Sequence, residues 1–130
     1  AVRIVFCLAK AGERRDARSI SEEVCVTLRF SLKILGKLSA AGIVHSFKGN
    51  RGGYELARPA GQLTLLEVLN AVSGPYVISR CIAEEDCSRG AHGCCAFQKA
   101  YDRISGSINQ QLAALTFQQF LEEEAAMAVN

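Results

Sequence analysis

The segment 27–42 constrains the fold of this chain more than any other, because two periodic patterns coincide in it with signals for a helix start and a helix end. Thr27 can cap a helix start through its hydroxyl oxygen, and Gly42 suits the left-handed position that follows a helix end. The predicted buried stripe consists of Leu28, Leu32, Leu35 and Leu38. The opposite face carries Arg29, Lys33 and Lys37. The segment therefore predicts an amphipathic helix with one cationic face.

The neighbours of this basic helix predict a winged helix-turn-helix unit. Before it, Ala17–Val24 predicts a short helix that is joined to the basic helix by a tight turn. After it, Ile43–Lys48 predicts a strand and Tyr54–Leu56 its return strand. The turn between them, Gly49–Gly53, is rich in residues that tolerate positive φ. A helix, a turn, a second helix and a hairpin in this order are typical of a DNA-binding unit with a wing.

The cationic residues are concentrated in the first half of the chain. Residues 1–60 hold eleven lysines and arginines against five acidic residues, whereas residues 61–130 hold four against eight, so the net charge is only +2. Lys48 and Arg51 belong to the predicted hairpin tip, where a glycine-rich backbone can approach a phosphate closely. The distribution favours an anionic partner such as nucleic acid, while charge alone fits a solvated surface equally well.

The rest of the chain predicts four further helices. Val2–Ala11 predicts a first helix with no start signal before it, so we expect additional residues upstream. Thr64 and Glu67 form a capping-box pattern at the start of a helix that follows the wing. Ala96–Leu115 predicts a long helix and Phe117–Glu124 a short last one.

Six cysteines are unusual in a chain of 130 residues, and four of them are crowded into one aperiodic polar segment, at Cys81, Cys87, Cys94 and Cys95. Such a group can hold an iron–sulfur cluster, bind zinc, act as a thiol switch or have no cofactor. The gaps are wide for a structural zinc site, whereas iron–sulfur clusters accept looser spacings. For the other two cysteines we expect packing, Cys7 in the first helix and Cys25 in the turn before the basic helix.

Two classes of function are disfavoured. No set of serine, histidine and aspartate, and no pair of carboxylates, converges in the pattern, and there are only two histidines, so we expect no enzyme. The apolar stretches fall far short of the ~20 residues that a membrane-spanning helix needs. We therefore expect a cytoplasmic protein without a membrane partner.

These motifs together resemble the Rrf-two family of bacterial transcription regulators, the group that includes IscR, NsrR, RirA and CymR. Ile20–Leu35 resembles the helix-turn-helix of the family, and Gly49–Tyr54 with its flank Leu56–Pro59 resembles the wing. Leu63–Val72 follows in the family's order, and the cysteine-rich segment comes after it.

The resemblance implies a mainly α fold with a small β-wing. A winged helix-turn-helix domain at 1–75 is expected, then a cysteine-rich cluster loop at 76–95, then a long dimerisation helix and a short last helix at 96–130. The resemblance also implies homodimers on palindromic double-stranded DNA, with the second helix in the major groove and the wing at the adjacent minor groove. Arg29 is the expected base-reading residue, because arginine reads guanine bidentately. The expected DNA-binding residues are Thr27, Arg29, Phe30, Lys33, Lys48, Asn50, Arg51 and Gly52.

The resemblance further implies an iron–sulfur cluster held by three cysteines, which match Cys81, Cys87 and one of the vicinal pair. Counting back from Tyr101 favours Cys95 as the third ligand, with Cys94 as the alternative, and the fourth ligand stays open. A two-iron two-sulfur cluster is expected, with a four-iron cluster as the alternative. The implied function is a repressor whose operator binding follows iron or cluster status, nitric oxide or redox state. A cluster-free repressor, controlled by thiols or by a partner, is the alternative.

Overall fold

A computed structural model describes residues 1–75, Ile78 and residues 95–129 of the chain. Within these residues it has six α-helices, one antiparallel pair of strands and a short 3-10 turn at Ala60–Gln62. The helices are α1 (Val2–Ala11), α2 (Ala17–Val24), α3 (Leu28–Ala40), α4 (Leu65–Ser73), α5 (Ala96–Ala114) and α6 (Phe117–Val129). The strands are β1 (Val44–Phe47) and β2 (Gly53–Leu56). The predicted fold class, mainly α with a small β-wing, is confirmed. Cys81, Cys87 and Cys94 lie outside the described residues.

The helix ends form where local sequence signals predict them. The Thr27 hydroxyl accepts a hydrogen bond from the backbone N–H of Phe30 at 3.2 Å and caps α3. Thr64 and Glu67 form a reciprocal capping box at the start of α4. One cap is not among the predictions: the Asp16 carboxylate accepts from the N–H of Ser19 at 3.1 Å and starts α2. An acidic residue directly before a helix was the signal that could have identified it.

The buried face of α3 differs from the predicted leucine stripe at two positions, because Leu28 is only half-buried and Leu32 is exposed. Leu32 is 44% exposed, so its predicted burial is wrong. The buried residues of α3 are Ser31, Ile34, Leu35 and Leu38. Their spacing is also helical. Ser31 occupies the core-facing position that was expected for Leu32, so the buried face of the helix is shifted by one residue relative to the predicted face. Leu32 therefore lies on the face that carries the basic residues.

The junction between the two C-terminal helices is hydrogen-bonded to the start of α4. The N–H of Leu65 donates to the carbonyl of Leu115 at 2.9 Å, and the N–H of Phe117 donates to the carbonyl of Leu63 at 3.0 Å. The Phe117 side chain is fully buried in the core that α1, α2, α3 and α4 share. This pair of backbone bonds fixes the junction between α5 and α6 against the start of α4. Helix α6 continues to Val129, five residues beyond its predicted end at Glu124.

Helix α5 carries a row of apolar side chains that is exposed in the described part of the chain. Phe97 is 64% exposed, and Tyr101 and Ile104 are also exposed. The row belongs to the long helix for which pairing with a second subunit is expected.

None of the described helices is both long enough and apolar enough to cross a membrane.

Candidate nucleic-acid interface

The outer face of α3 carries cations, and two apolar side chains of the helix, Phe30 and Leu32, are also exposed. Arg29 and Lys33 are exposed on this face, as their spacing predicts. Phe30 is 51% exposed and borders a groove between α1, α3 and α4. No acidic residue occurs in α3. The helix therefore presents a positive surface to an anionic partner.

Two glycines occupy crowded positions in the hairpin, Gly52 directly before β2 and Gly53 at its first position. β1 and β2 pair antiparallel, with Phe47 opposite Gly53. A side chain on Gly52 would meet the carbonyl oxygen of Phe47 at 2.7 Å. A side chain on Gly53, whose φ is 147°, would meet the carbonyl oxygen of Arg15 at 2.6 Å. Both glycines are required because backbone comes too close for any side chain.

Arg14 holds the hairpin tip from the side. Its guanidinium lies 3.3 Å from the centre of the Phe47 ring, a cation–π contact. The same group donates to the carbonyl oxygen of Arg51 at 2.9 Å and lies 3.8 Å from the Glu55 carboxylate. The side chains of Lys48, Asn50 and Arg51 remain exposed at the tip. The tip backbone is thus anchored while its cations face solvent.

Arg15 joins the hairpin to the helix-turn-helix. Its backbone N–H donates to the Tyr54 carbonyl at 2.9 Å, and the Tyr54 N–H donates back at 2.8 Å. Its guanidinium donates to the Glu23 carboxylate, to the Ser19 hydroxyl and, at 2.9 Å, to the sulfur of Cys7. The hydrogen bond from Arg15 lowers the pKa of Glu23, so the carboxylate stays ionised. These roles of Arg14 and Arg15 are not among the predictions, since no local pattern links the two residues to the hairpin.

The cysteines divide into three groups. Cys7 is buried, which confirms its prediction, and burial raises the pKa of its thiol. Cys25 is exposed in a left-handed turn with φ 57°, so the prediction that it packs is wrong. The turn needs this conformation to redirect the chain from α2 to α3, and the side chain is thereby directed outward. Cys95 is free and half-buried at the start of α5. Among the described residues no three potential metal ligands come together.

The fold and the cationic α3 with its anchored hairpin define the class of winged helix-turn-helix DNA-binding regulators. The family model of Rrf2, described as an iron-dependent transcriptional regulator, matches residues 1–123. The chain therefore belongs to the Rrf2 family and is a transcriptional regulator. The family assignment confirms the resemblance and the expectation that the protein is not an enzyme, since this is a family of regulators.

Individual relatives agree with this assignment. The HTH-type transcriptional regulator IscR of Xenorhabdus nematophila is 27% identical over 110 residues, which make up 85% of this chain and 66% of that protein. The structure of T. potens IscR matches with a TM-score of 0.72 and 22% identity, covering 95% of this chain and 81% of that one. CymR, the global cysteine regulator of B. subtilis, matches with a TM-score of 0.74 and 20% identity, covering 94% and 90%. The two structures share the fold of this chain.

Proposed function

We propose that this regulator binds a palindromic DNA operator as a homodimer and represses transcription, and that an iron–sulfur cluster controls its affinity for the operator. Helix α3 enters the major groove in each half-site, and the hairpin contacts the adjacent minor groove. The observation that carries the DNA-binding part is the cationic outer face of α3. Arg29 and Lys33 are exposed there on a helix without acidic residues.

The contacts with DNA divide into two kinds. Arg29, near the start of α3, reads a guanine through its two parallel donors. Thr27, Phe30 and Lys33 lie beside it on the same first turns of α3. Phosphate and minor-groove contacts come from the hairpin tip, namely Lys48, Asn50, Arg51 and the backbone of Gly52. This division follows the general rule that phosphate contacts position a protein and base contacts specify the sequence.

The apolar row on α5 supports a homodimer through this helix. Phe97, Tyr101 and Ile104 are exposed in the single chain. An exposed apolar row on a long helix marks a surface that another protein covers. A twofold pair of α5 helices buries the row on itself, as an isologous interface requires. The two copies of α3 would then face two half-sites of a palindrome.

The donor set of the chain fits an iron–sulfur cluster. Cys81, Cys87 and Cys95 would hold the group, with Cys94 as the alternative third ligand, and the fourth ligand is open. Cys95 is half-buried at the start of α5, directly after the cysteine-rich segment. The family description as iron-dependent also supports this assignment. When bound, the cluster supplies a redox-sensitive group that also reacts with nitric oxide.

The composition of the anaerobically isolated protein tests the cluster. We expect visible absorbance together with iron and acid-labile sulfide in the full-length chain. Replacing Cys81, Cys87 or Cys95 by serine removes iron and sulfide, whereas Cys94→Ser retains them. Cys25→Ser is the matched control, because Cys25 is an exposed cysteine outside the cysteine-rich segment at 76–95. Loss of iron from Cys94→Ser but not from Cys95→Ser would reassign the third ligand, and wild-type protein without iron and sulfide would overturn the cluster.

A cluster-free repressor is the second candidate. The same fold serves CymR, which is named a global cysteine regulator, and Cys25 of this chain is exposed to solvent. In this alternative, oxidation of thiols or a partner protein changes operator affinity. Labelling of accessible thiols before and after peroxide treatment, combined with the iron analysis, distinguishes the two candidates.

Two arginine variants test the division between base and phosphate contacts. Arg29→Ala is expected to weaken operator binding by roughly 5- to 150-fold per half-site and to relax the base preference at one position of each half-site. Arg51→Ala is expected to weaken binding to all sequences nearly equally. Fluorescence anisotropy with the operator and with single-base variants measures both effects. If Arg29→Ala leaves the base preference intact, the assignment of α3 as the reading helix is wrong.

A further inference from the structure

Core packing leaves two apolar side chains of α3 exposed, Phe30 and Leu32, and of these only Phe30 borders the groove between α1, α3 and α4. Leu32 is 44% exposed. It belongs neither to the buried cluster nor to the partly buried apolar residues that pack against that cluster. It lies three residues after Arg29 and directly before Lys33, so the three side chains share one face of the helix.

A glycine follows Leu32 by one turn on this face. Beyond its chain neighbours and the adjacent backbone of its own helix, a methyl group added to Gly36 would meet no atom of the described residues within 4 Å, so close packing does not require glycine there. Glycine in a helix interior is less favourable than alanine. The missing side chain leaves a shallow notch beside Leu32, where another surface can approach the helix backbone closely.

We propose that Leu32 and Gly36 form a contact site for the 5-methyl group of a thymine in the major groove, and that Leu32 thereby specifies a T·A base pair in each half-site. This inference rests on the proposed placement of α3 in the major groove and deepens it. The thymine methyl is the apolar feature among the base edges of that groove, and leucine beside a bare backbone is complementary to it.

The charges around Leu32 favour DNA over a protein as the occupant of this notch. Arg29 and Lys33 flank the leucine, Lys37 follows Gly36, and α3 contains no acidic residue. A protein that covers the leucine would need acidic groups placed to neutralise these cations. DNA brings such charges with it, because phosphates line both sides of the major groove. A leucine flanked by cations is therefore complementary to a thymine methyl group flanked by phosphates.

Replacing thymine by uracil tests the contact, because uracil lacks only the 5-methyl group. A duplex is first selected from randomised DNA with the full-length wild-type protein, isolated anaerobically. Each thymine of the selected half-site is then replaced by uracil in turn. At one position we expect affinity to fall about fourfold per half-site, and about 15-fold when both half-sites are replaced, as burial of one methyl group predicts.

Two variants connect this effect to the notch. Leu32→Ala is expected to bind the thymine and uracil duplexes with equal affinity. Gly36→Ala fills the notch and is expected to weaken binding to the thymine duplex, while its resistance to urea stays the same or rises, because alanine is the better helix former. This combination separates a lost contact from a lost fold. Met127→Ala is the matched control: Met127 is an apolar residue of α6, 72% exposed, and its loss should preserve the full uracil effect.

Two results would overturn the inference: uracil at every thymine leaves affinity unchanged, or Leu32→Ala keeps the wild-type sensitivity to uracil. The second result would assign the methyl contact to another residue. In either case Arg29→Ala reports separately on the proposed function. If it relaxes base preference, α3 reads the major groove and only the methyl contact fails. If the selection enriches no sequence, the proposed function fails as well.

Discussion

Raising the salt concentration from about 50 mM to about 200 mM is expected to weaken operator binding by roughly 10³- to 10⁵-fold. Arg29, Lys33, Lys48 and Arg51 are exposed, and under the proposed function each subunit offers them to the phosphates and bases. A dimer doubles the set, which places the number of neutralised phosphates in the range of about 6–10. Fluorescence anisotropy titrations at several salt concentrations give the slope of log affinity against log salt.

Two lysine variants show whether the hairpin contributes to this slope. Lys48→Ala should make the slope shallower by about 2, because a dimer loses one phosphate contact in each subunit. Lys10→Ala is the matched control, since its ammonium group lies 3.3 Å from the Glu124 carboxylate on another part of the surface. The same slope for Lys48→Ala and wild type would remove Lys48 from the interface.

Phe117→Ala is expected to lower the free energy of unfolding by about 3–5 kcal/mol. The Phe117 ring is fully buried, and it stacks edge-to-face with Phe120 at 6.1 Å between ring centres. Its removal leaves a cavity where α6 enters the core that α1, α2, α3 and α4 share. Urea unfolding at a fixed protein concentration measures the loss, and a fixed concentration matters because a dimer is stabilised by mass action.

Two further variants keep this prediction testable. Met127→Ala changes an exposed apolar residue of the same helix, and we expect a change within ~0.5 kcal/mol. Phe117→Leu retains much of the buried volume and should lose less stability than Phe117→Ala, which gives a measurement if the alanine variant does not fold. Equal unfolding midpoints for Phe117→Ala and wild type would contradict the anchoring role of this residue.

The helices could be predicted from the sequence wherever a local signal marks their ends. Thr27 and Thr64 cap α3 and α4 as predicted, and α1 and α2 have the predicted bounds. The predicted end of α6 at Glu124 was wrong, because the residues after it are good helix formers and exposed positions tolerate them. Local capping signals therefore predict where a helix begins. They do not predict where a helix ends when only the helix propensity of successive residues decides.

The faces of the helices and the anchoring of the hairpin depend on contacts between distant segments. Two overlapping 3–4 patterns run through α3, and the tertiary packing selects the one that buries Ser31 and exposes Leu32. The interactions of Arg15 with Tyr54 and Cys7 join three separate elements. No periodicity within a single segment encodes such contacts. The cations of the predicted interface were easier to find, because exposed charges need no partner in the fold.

The backbone bridge between Arg15 and Tyr54 has a consequence for control by the dimer. It ties the hairpin through main-chain atoms to the segment before α2, and the guanidinium of Arg15 extends the connection to α2 and to α1. Under the proposed function, the hairpin and α3 therefore act as one preassembled head. Under the proposed function, a signal near Cys95 changes operator affinity by altering the spacing and angle of two rigid heads along the DNA, and the shape of each head stays constant. Regulation of this kind is quaternary, and it is most sensitive to the distance between half-sites.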